Sequence, residues 1–178
     1  RIAHERQHLQ EVQAQRQLDE EEQELLEKLL TCTPKLFEQL SNDVERAKKI
    51  LRSQAFYDID QLEWATNCLH QTMALISLGY YPAQICFPPI ETDIVYKPFM
   101  SSEIIESLDD DQINIYRDVY TMLIRPVVKR EKPAMVGISV VQQKQLIPTF
   151  TFCKMIKEEF PAIHITLGGN IITRIRDM

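Results

Sequence analysis

Glycines around two predicted strands are the residues in this 178-residue chain with the clearest chemical potential. Three of the four glycines, Gly137, Gly168 and Gly169, fall in one short stretch near the carboxyl end. Gly168 and Gly169 directly follow an apolar run, where residues without a Cβ atom can adopt positive φ and let a ligand approach the backbone amides. On open α/β sheets, ligands bind beyond the carboxyl ends of the strands. The spacing therefore indicates a ligand site, and a simple tight turn is the alternative that the pattern leaves open.

The glycines belong to a predicted strand–helix–strand unit. Residues 135–141 form a continuous apolar run, which is typical of a strand buried on both faces of a parallel sheet. Residues 145–160 carry apolar side chains at helical spacing, and residues 163–167 form the second strand. A crossover of this length joins parallel strands in a right-handed unit. Ser139, near the end of the first strand, is equally typical of a capping hydroxyl.

The chain before this unit predicts helices and loops. Residues 4–30 favour helix because Gln, Glu, Leu and Arg dominate and neither Gly nor Pro occurs. Thr33-Pro34 predicts the start of a second helix, and Asp58 or Asp60 predicts the cap of a third helix that ends at Gly79. The remaining predictions are short edge strands at 84–87 or 94–96, a short helix over 103–108, and a helix over 111–130 kinked at Pro126.

These elements predict an α/β fold with a large helical insertion. Residues 1–133 form a helical region, inserted or preceding, with an irregular loop over 80–100, so the N-terminal two thirds are mostly helical. Residues 134–178 form a partial Rossmann-like βαβ unit at the C-terminal end. Two parallel strands form a marginal sheet. We therefore expect the unit either to self-associate through its incomplete sheet or to pack onto its own helices.

Composition excludes several classes of partner. The net charge is −6, and acids concentrate at residues 19–22, which argues against binding to a nucleic-acid backbone. No apolar run approaches the roughly 18 residues of a membrane span, and the polar N-terminus is unlike a secretory signal. The four cysteines are too far apart for a zinc or iron–sulfur motif, so we expect a cytoplasmic protein with reduced thiols. No histidine is predicted as a catalytic base.

An ordered series of motifs resembles the N-terminal region of cobalamin-binding radical S-adenosylmethionine proteins. Some members of this family are anaerobic magnesium-protoporphyrin IX monomethyl ester cyclases or peptide-modifying methyltransferases. The resemblance covers roughly residues 45–178. The motifs are Leu51-Arg52-Ser53-Gln54-Ala55-Phe56-Tyr57-Asp58, Gly79-Tyr80-Tyr81-Pro82, Ser101-Ser102-Glu103, Val136-Gly137-Ile138-Ser139, Gln145-Leu146-Ile147-Pro148-Thr149-Phe150-Thr151 and Ile163-His164-Ile165-Thr166-Leu167-Gly168-Gly169-Asn170.

The resemblance implies a Rossmann-like domain that clasps cobalamin, followed by a barrel that holds a 4Fe-4S cluster and S-adenosylmethionine. It implies no catalytic or metal-ligating residue within this chain, and no Asp-x-His-x-x-Gly is present to supply a histidine ligand to cobalt. Ser139 and the following loop would lie near the lower face or nucleotide tail of the cofactor, the two glycines against the tail, and two further residues at the rim. The implied cofactor-binding residues are Ser139, Val140, Gln142, Gly168, Gly169, Asn170 and Thr173.

The chain has no initiator methionine, and we expect it to be a piece of a longer protein. The cluster motif CxxxCxxC would lie downstream of Met178, so we expect this piece to be inactive alone, whereas the parent would transfer methyl groups or modify a substrate by radical chemistry. The alternative function is a helical protein-interaction or regulatory module with an α/β tail. A receiver domain lacks its strand-end aspartate here, and neither GxGxxG nor GxxxxGK[ST] supports nucleotide binding.

Overall fold

The computed structural model describes residues 1–86 and 91–176. Contacts between residues divide the chain into two units, Arg1–Asp93 and Ile94–Met178. The sequence predicts the division at residues 133 and 134, where the composition changes from helical to strand-forming. The structure instead groups the helices after residue 94 with the C-terminal strands, because they supply part of the same hydrophobic core.

The first unit is helical, and its N-terminal segment is divided. The prediction of one helix over residues 4–30 was wrong, since Arg16 is extended and Asp19 begins a new helix. Asp19 accepts a hydrogen bond from the Glu22 amide, and Glu22 accepts one from the Asp19 amide, so a capping box stabilises the new start. The helices are α1 (Ile2–Gln15), α2 (Glu20–Thr31), α3 (Pro34–Leu51), a 3-10 turn (Gln54–Tyr57) and α4 (Ile59–Leu78).

The predicted starts of α3 and α4 are confirmed. The Thr33 hydroxyl accepts a hydrogen bond from the Leu36 amide, and Asp58 accepts one from the Gln61 amide. Gly79 follows the last residue of α4, as predicted. A short strand, β1 (Gln84–Cys86), pairs in the antiparallel direction with β2 (Glu91–Asp93). The first of the two predicted edge strands is therefore confirmed over Gln84–Cys86, residue 87 lies outside the described residues, and residues 94–96 are not a strand.

Two apolar clusters form the core of the first unit. The first cluster joins α1 to α2, and the second joins α3 to α4. Both consist of aliphatic and small side chains at helical spacing, which explains why these helices bury one face each. The buried residues are Leu9, Leu18, Leu25, Leu26 and Leu29 in the first cluster and Ala47, Ile50, Ala65, Cys68 and Leu69 in the second.

The second unit begins with helices α5 (Ser101–Ser107), α6 (Ile115–Val119) and α7 (Arg125–Glu131). The predicted kinked helix over 111–130 corresponds to α6 and α7 joined by a π-helical turn over Tyr120–Ile124. Pro126 has no amide hydrogen and cannot continue an α-helical hydrogen-bond ladder, so the irregular turn lies directly before it.

The strand–helix–strand unit forms as predicted. Its elements are β3 (Met135–Ser139), α8 (Leu146–Glu159), β4 (His164–Gly168) and α9 (Asn170–Arg176). β3 and β4 pair in parallel, with Met135 opposite His164 and Ser139 opposite Gly168. The protein is thus mostly helical, with one small parallel sheet at its C-terminal end.

One face of this sheet packs on the helices of its own unit. Val136 and Ile165 contact a core in which Tyr120, Ile156 and Ile163 are buried. The prediction that the first strand is buried on both faces was wrong, because exposure alternates along both β3 and β4. Within the described residues, a parallel sheet of two strands is covered by helices on one side alone.

A buried polar network and an ion-pair cluster fix the helices of the second unit. The Asn114 amide donates hydrogen bonds to the Ser107 carbonyl at 2.8 Å and to the Thr151 hydroxyl at 2.9 Å. Glu159 on α8 contacts Arg125 at 2.7 Å and Lys129 at 2.9 Å, both on α7. Arg125, and next Lys129, lower the pKa of Glu159 from 4.5 to about 2. These contacts hold α5, α6 and α7 against α8.

None of the helices in residues 1–86 and 91–176 combines the length and the apolar character that crossing a lipid bilayer requires.

Candidate functional site

The carboxyl ends of β3 and β4 meet at Ser139 and Gly168, which are direct neighbours in the parallel ladder. The Val140 amide continues the ladder by donating a hydrogen bond to the Gly168 carbonyl at 2.8 Å. Because the strands are parallel and end at paired residues, the two loops leave the sheet side by side. This edge is where ligands of parallel sheets bind.

Gly169 is required by the backbone of the chain itself. Its φ is +98°, and a Cβ atom there would lie 2.4 Å from the Val140 carbonyl oxygen and 2.8 Å from the Val140 nitrogen. The Ile171 amide donates to the Val140 carbonyl at 3.2 Å, and the Thr173 amide and hydroxyl each donate to the Gly169 carbonyl at 3.1 Å. The space beside Gly169 is therefore filled by Val140, and this glycine serves the turn.

The backbone does not require a glycine at position 168. A Cβ atom built on Gly168 would meet no atom within 4 Å, and the residue is exposed. At Gly137, the nearest atom to a built Cβ is the Thr166 Cγ2 at 3.7 Å, which is ordinary van der Waals contact. Contacts among the described residues therefore explain why position 169 must be glycine. They do not explain why positions 137 and 168 are glycine.

The exposed face of the sheet is small and polar towards its carboxyl edge. Alternate residues of the two strands point to this face, and all are exposed. Near the edge, the face consists of two glycines, one serine and one threonine, so backbone lies open to an approaching molecule. Its residues are Met135, Gly137 and Ser139 on β3 and His164, Thr166 and Gly168 on β4.

Thr166 is part of this surface but was not among the residues predicted from the sequence. Residues 135–141 were predicted to be an unbroken apolar run, although glycine and serine alternate with Val136 and Ile138 in it. The period of two, shared by both strands, was the signal that could have found the exposed face.

The loop after β3 is held by two glutamines, and the Gln142 side chain accepts a hydrogen bond from the Gln145 amide. The Gln145 side-chain oxygen accepts hydrogen bonds from the Val141 amide at 2.7 Å and from the Gln142 amide at 3.1 Å. The Gln142 side chain is exposed at the start of this turn. Asn170, also exposed, is the first residue of α9. Two amide side chains therefore lie in the loops that follow the two strands.

The seven predicted site residues fall into two groups, those exposed at the strand ends and those that build the turn after β4. Ser139, Gln142, Gly168 and Asn170 are exposed at or after the strand ends. Val140 is fully buried, and with Gly169 and Thr173 it builds the turn after β4. The register brings Ser139 beside Gly168, and Val140 contacts both glycines. Four residues thus present themselves to solvent, and three shape the turn.

The site is chemically suited to binding. None of the seven residues titrates, and they contribute two hydroxyls, two amide side chains and open backbone. His164 lies opposite Met135 at the amino end of the strands, away from this edge. In the part of the chain that the structure describes, no group of three or more His, Cys, Asp or Glu side chains is arranged to hold a metal ion.

Comparison with models of known protein families, with curated proteins and with solved structures found no match to this chain.

Proposed function

We propose that this chain is part of the cobalamin-binding N-terminal region of a radical S-adenosylmethionine protein. Two kinds of observation support the proposal: the ordered series of motifs, and a parallel βαβ unit whose carboxyl edge ends in two glycines. In the parent protein, cobalamin would take part in methyl transfer or radical modification of a substrate. The iron–sulfur cluster and S-adenosylmethionine would belong to the parent's downstream part.

The observation that carries the proposal is the open space beside Gly168. A turn alone requires Gly169, whereas nothing among the described residues requires a glycine at 168. A large cofactor that lies along the strand ends would require a glycine at 168, because a Cβ atom there would hold it away from the backbone. A tight turn therefore explains only one of the two glycines, and a bound cofactor would explain the other.

Each exposed residue has a role that follows from its position. Ser139 and Gln142 would donate hydrogen bonds to the polar groups of the cofactor's lower face or nucleotide tail, and Asn170 would do so from the opposite loop. Gly168 would let the tail lie against the strand backbone. Val140, Gly169 and Thr173 act on the site by fixing the turn. The cobalt corrin would supply the group-transfer chemistry, and these residues bind and orient it.

The test uses the 178-residue chain with hydroxocobalamin, followed by desalting and measurement of the absorbance that stays with the protein. We expect the unmodified chain to retain cofactor and Gly168→Leu to lose it, because the added side chain occupies the space along which the tail would lie. Ala134→Leu is the matched control, since Ala134 is also exposed but precedes β3, at the opposite edge of the sheet. It should retain cofactor.

Two results would contradict the proposal: complete loss of cofactor from the unmodified chain on desalting, or equal retention by Gly168→Leu and the unmodified chain. Far-ultraviolet circular dichroism of both variants checks that each is folded. Since a Cβ atom at Gly168 meets no neighbour within 4 Å, loss of binding with an unchanged spectrum would be specific to the site.

A further inference from the structure

A second candidate site lies in the helical first unit. Helices α1, α3 and α4 surround an open cavity of about 730 Å³. This volume falls within the range of roughly 300–1,000 Å³ that is typical of small-molecule sites. The lining is mainly apolar, and its larger side chains are Phe37, Leu40, Val44, Leu75, Ile76 and Tyr80.

Two of these apolar side chains are partly exposed to solvent. Phe37 is 41% exposed and Ile76 is 37% exposed, and both line the cavity. An apolar molecule that covers them would gain roughly 25 cal/mol for each Å² of apolar surface removed from water. The cavity therefore favours an apolar body.

The charge on the wall of the cavity is positive. Arg6 lines it half-buried, and its guanidinium forms no hydrogen bond or ion pair with any residue in 1–86 or 91–176. Burial raises the pKa of the Cys32 thiol, which also lines the cavity, and the positive charge of Arg6 opposes that increase, so the two groups lie close together.

The other charged side chains that line the cavity, Arg1 and Glu45, already have interaction partners. Glu45 forms an ion pair with Lys48 at 2.6 Å. The Arg1 guanidinium lies over the Tyr80 ring, 4.4 Å from its centroid. Among the described residues that line the cavity, Arg6 is therefore the cation that is available to an anionic ligand.

We propose that this cavity binds a fatty acid, with the aliphatic chain against Phe37 and Ile76 and the carboxylate at Arg6. The chemistry follows from an apolar surface beside a guanidinium, the group best suited to recognise a carboxylate. A peptide helix is the alternative occupant, and it would be recognised by several apolar side chains along one face rather than by a single cation. This inference is independent of cobalamin binding, which concerns the other unit.

The test is isothermal titration calorimetry of the 178-residue chain with decanoate and with nonyltrimethylammonium, which carries an alkyl chain of the same length and the opposite charge. We expect the chain to bind decanoate more tightly. Arg6→Gln should weaken decanoate binding about five- to tenfold, the change expected when one charge-assisted contact is lost. Lys35→Gln removes an exposed charge on α3 that does not line the cavity, and it should leave the affinity unchanged.

A second variant tests the cavity without changing its charge. Ser41 lines the cavity and is exposed, so Ser41→Phe should fill part of the space and weaken binding of decanoate while the fold, checked by circular dichroism, is kept. The proposal is overturned if decanoate does not bind, if both probes bind equally, or if Arg6→Gln and Lys35→Gln have the same effect. Unchanged binding by Ser41→Phe would also overturn it.

Discussion

Gly168 and Gly169 are adjacent in the chain, yet a side chain would meet very different surroundings at the two positions. Gly169 has φ of +98° and lies against the Val140 backbone, whereas the space around Gly168 is open. Substitution at Gly169 therefore combines backbone strain with a clash, and substitution at Gly168 involves neither. The turn therefore accounts for the glycine at position 169, and a ligand would account for the glycine at position 168.

We expect Gly169→Ala to reduce the free energy of unfolding of the second unit by about 2 kcal/mol or more, because alanine at this φ is strained and its Cβ atom would clash with Val140. Gly168→Ala should change it by less than about 0.5 kcal/mol. Amide hydrogen exchange of β3 and β4, read by mass spectrometry, measures both effects. Equal exchange in the two variants would contradict the assignment of the turn to Gly169.

The roles of individual site residues could be predicted in part from the sequence. Gly-Gly after an apolar run predicts either positive φ or a ligand approach, and it is a parallel ladder that brings Ser139 beside Gly168. Sequence alone could not show which glycine serves the turn, because the contact between Gly169 and Val140 joins residues far apart in the chain. Whether a ligand occupies the space at Gly168 stays a prediction.

Among the elements of the second unit, α8 is held to α7 by a cluster of charges. Glu159 accepts hydrogen bonds from Arg125 at 2.8 Å, and Lys129 lies 2.9 Å away. Tyr120, buried in the π-helical turn, donates to the Met155 carbonyl at 3.3 Å. Burial, and next the charge of Glu159, raise the pKa of Tyr120 to about 12, so its hydroxyl stays a donor at neutral pH.

The Glu159 cluster predicts a dependence of stability on pH. Folding lowers the pKa of Glu159 from 4.5 to about 2, so the stabilisation is complete above 4.5 and is lost as the pH falls through the folded value. We expect Glu159→Gln to unfold at lower urea concentration than the unmodified chain near neutral pH. This difference should shrink as the pH falls from 4.5 towards the folded value of about 2, and it should vanish below that value, where the glutamate is protonated in both states.

The effect of Glu159→Gln is measured as the urea concentration at the midpoint of unfolding, recorded by circular dichroism from neutral pH down to about pH 2. Glu158→Gln is the matched control, since the neighbouring Glu158 is 59% exposed and its closest cation, Lys154, lies 3.9 Å away. It should shift the midpoint little at any pH. A difference for Glu159→Gln that stays constant down to pH 2 would contradict the assigned cause.

Most elements could be predicted because their signals are local. Thr33-Pro34, Asp58 and the alternation of strand and helix after Pro133 each mark a start that the structure confirms. The division between α1 and α2 was missed, although Asp19 followed by Glu22 is a capping-box signal, because helix-favouring composition was given more weight. The kink at Pro126 was predicted, but its form as a π-helical turn was not, because a missing amide hydrogen can be accommodated by more than one irregular turn.

At the scale of the whole molecule, the parallel sheet is the element least covered by the described residues. Parallel sheets usually carry helices on both faces, and two strands are few for independent stability. Here one face packs on the unit's own helices, as one of the two expectations from sequence proposed, and Met135 on the other face is 59% exposed. Self-association through this face is the expectation that stays to be tested.

We expect the average mass of the chain, measured by sedimentation equilibrium, to rise with protein concentration in the micromolar range. Met135→Lys should reduce this association, because a charge would have to be buried wherever the open face meets a second copy. Met122→Lys is the matched control, since Met122 is 65% exposed but lies in the π-helical turn. A single monomer mass at every concentration would contradict the prediction.

The chain contains one tryptophan, and it reports on half of the molecule. Trp64 packs beside Ala47, Ile50 and Ala65 in the first unit, with the Arg46 guanidinium 4.3 Å from its ring centroid. Indole emission therefore senses the surroundings of α3 and α4 directly, and none of the contacts that the structure gives Trp64 involves β3 or β4. A denaturation curve recorded in this way would report the loss of packing between α3 and α4.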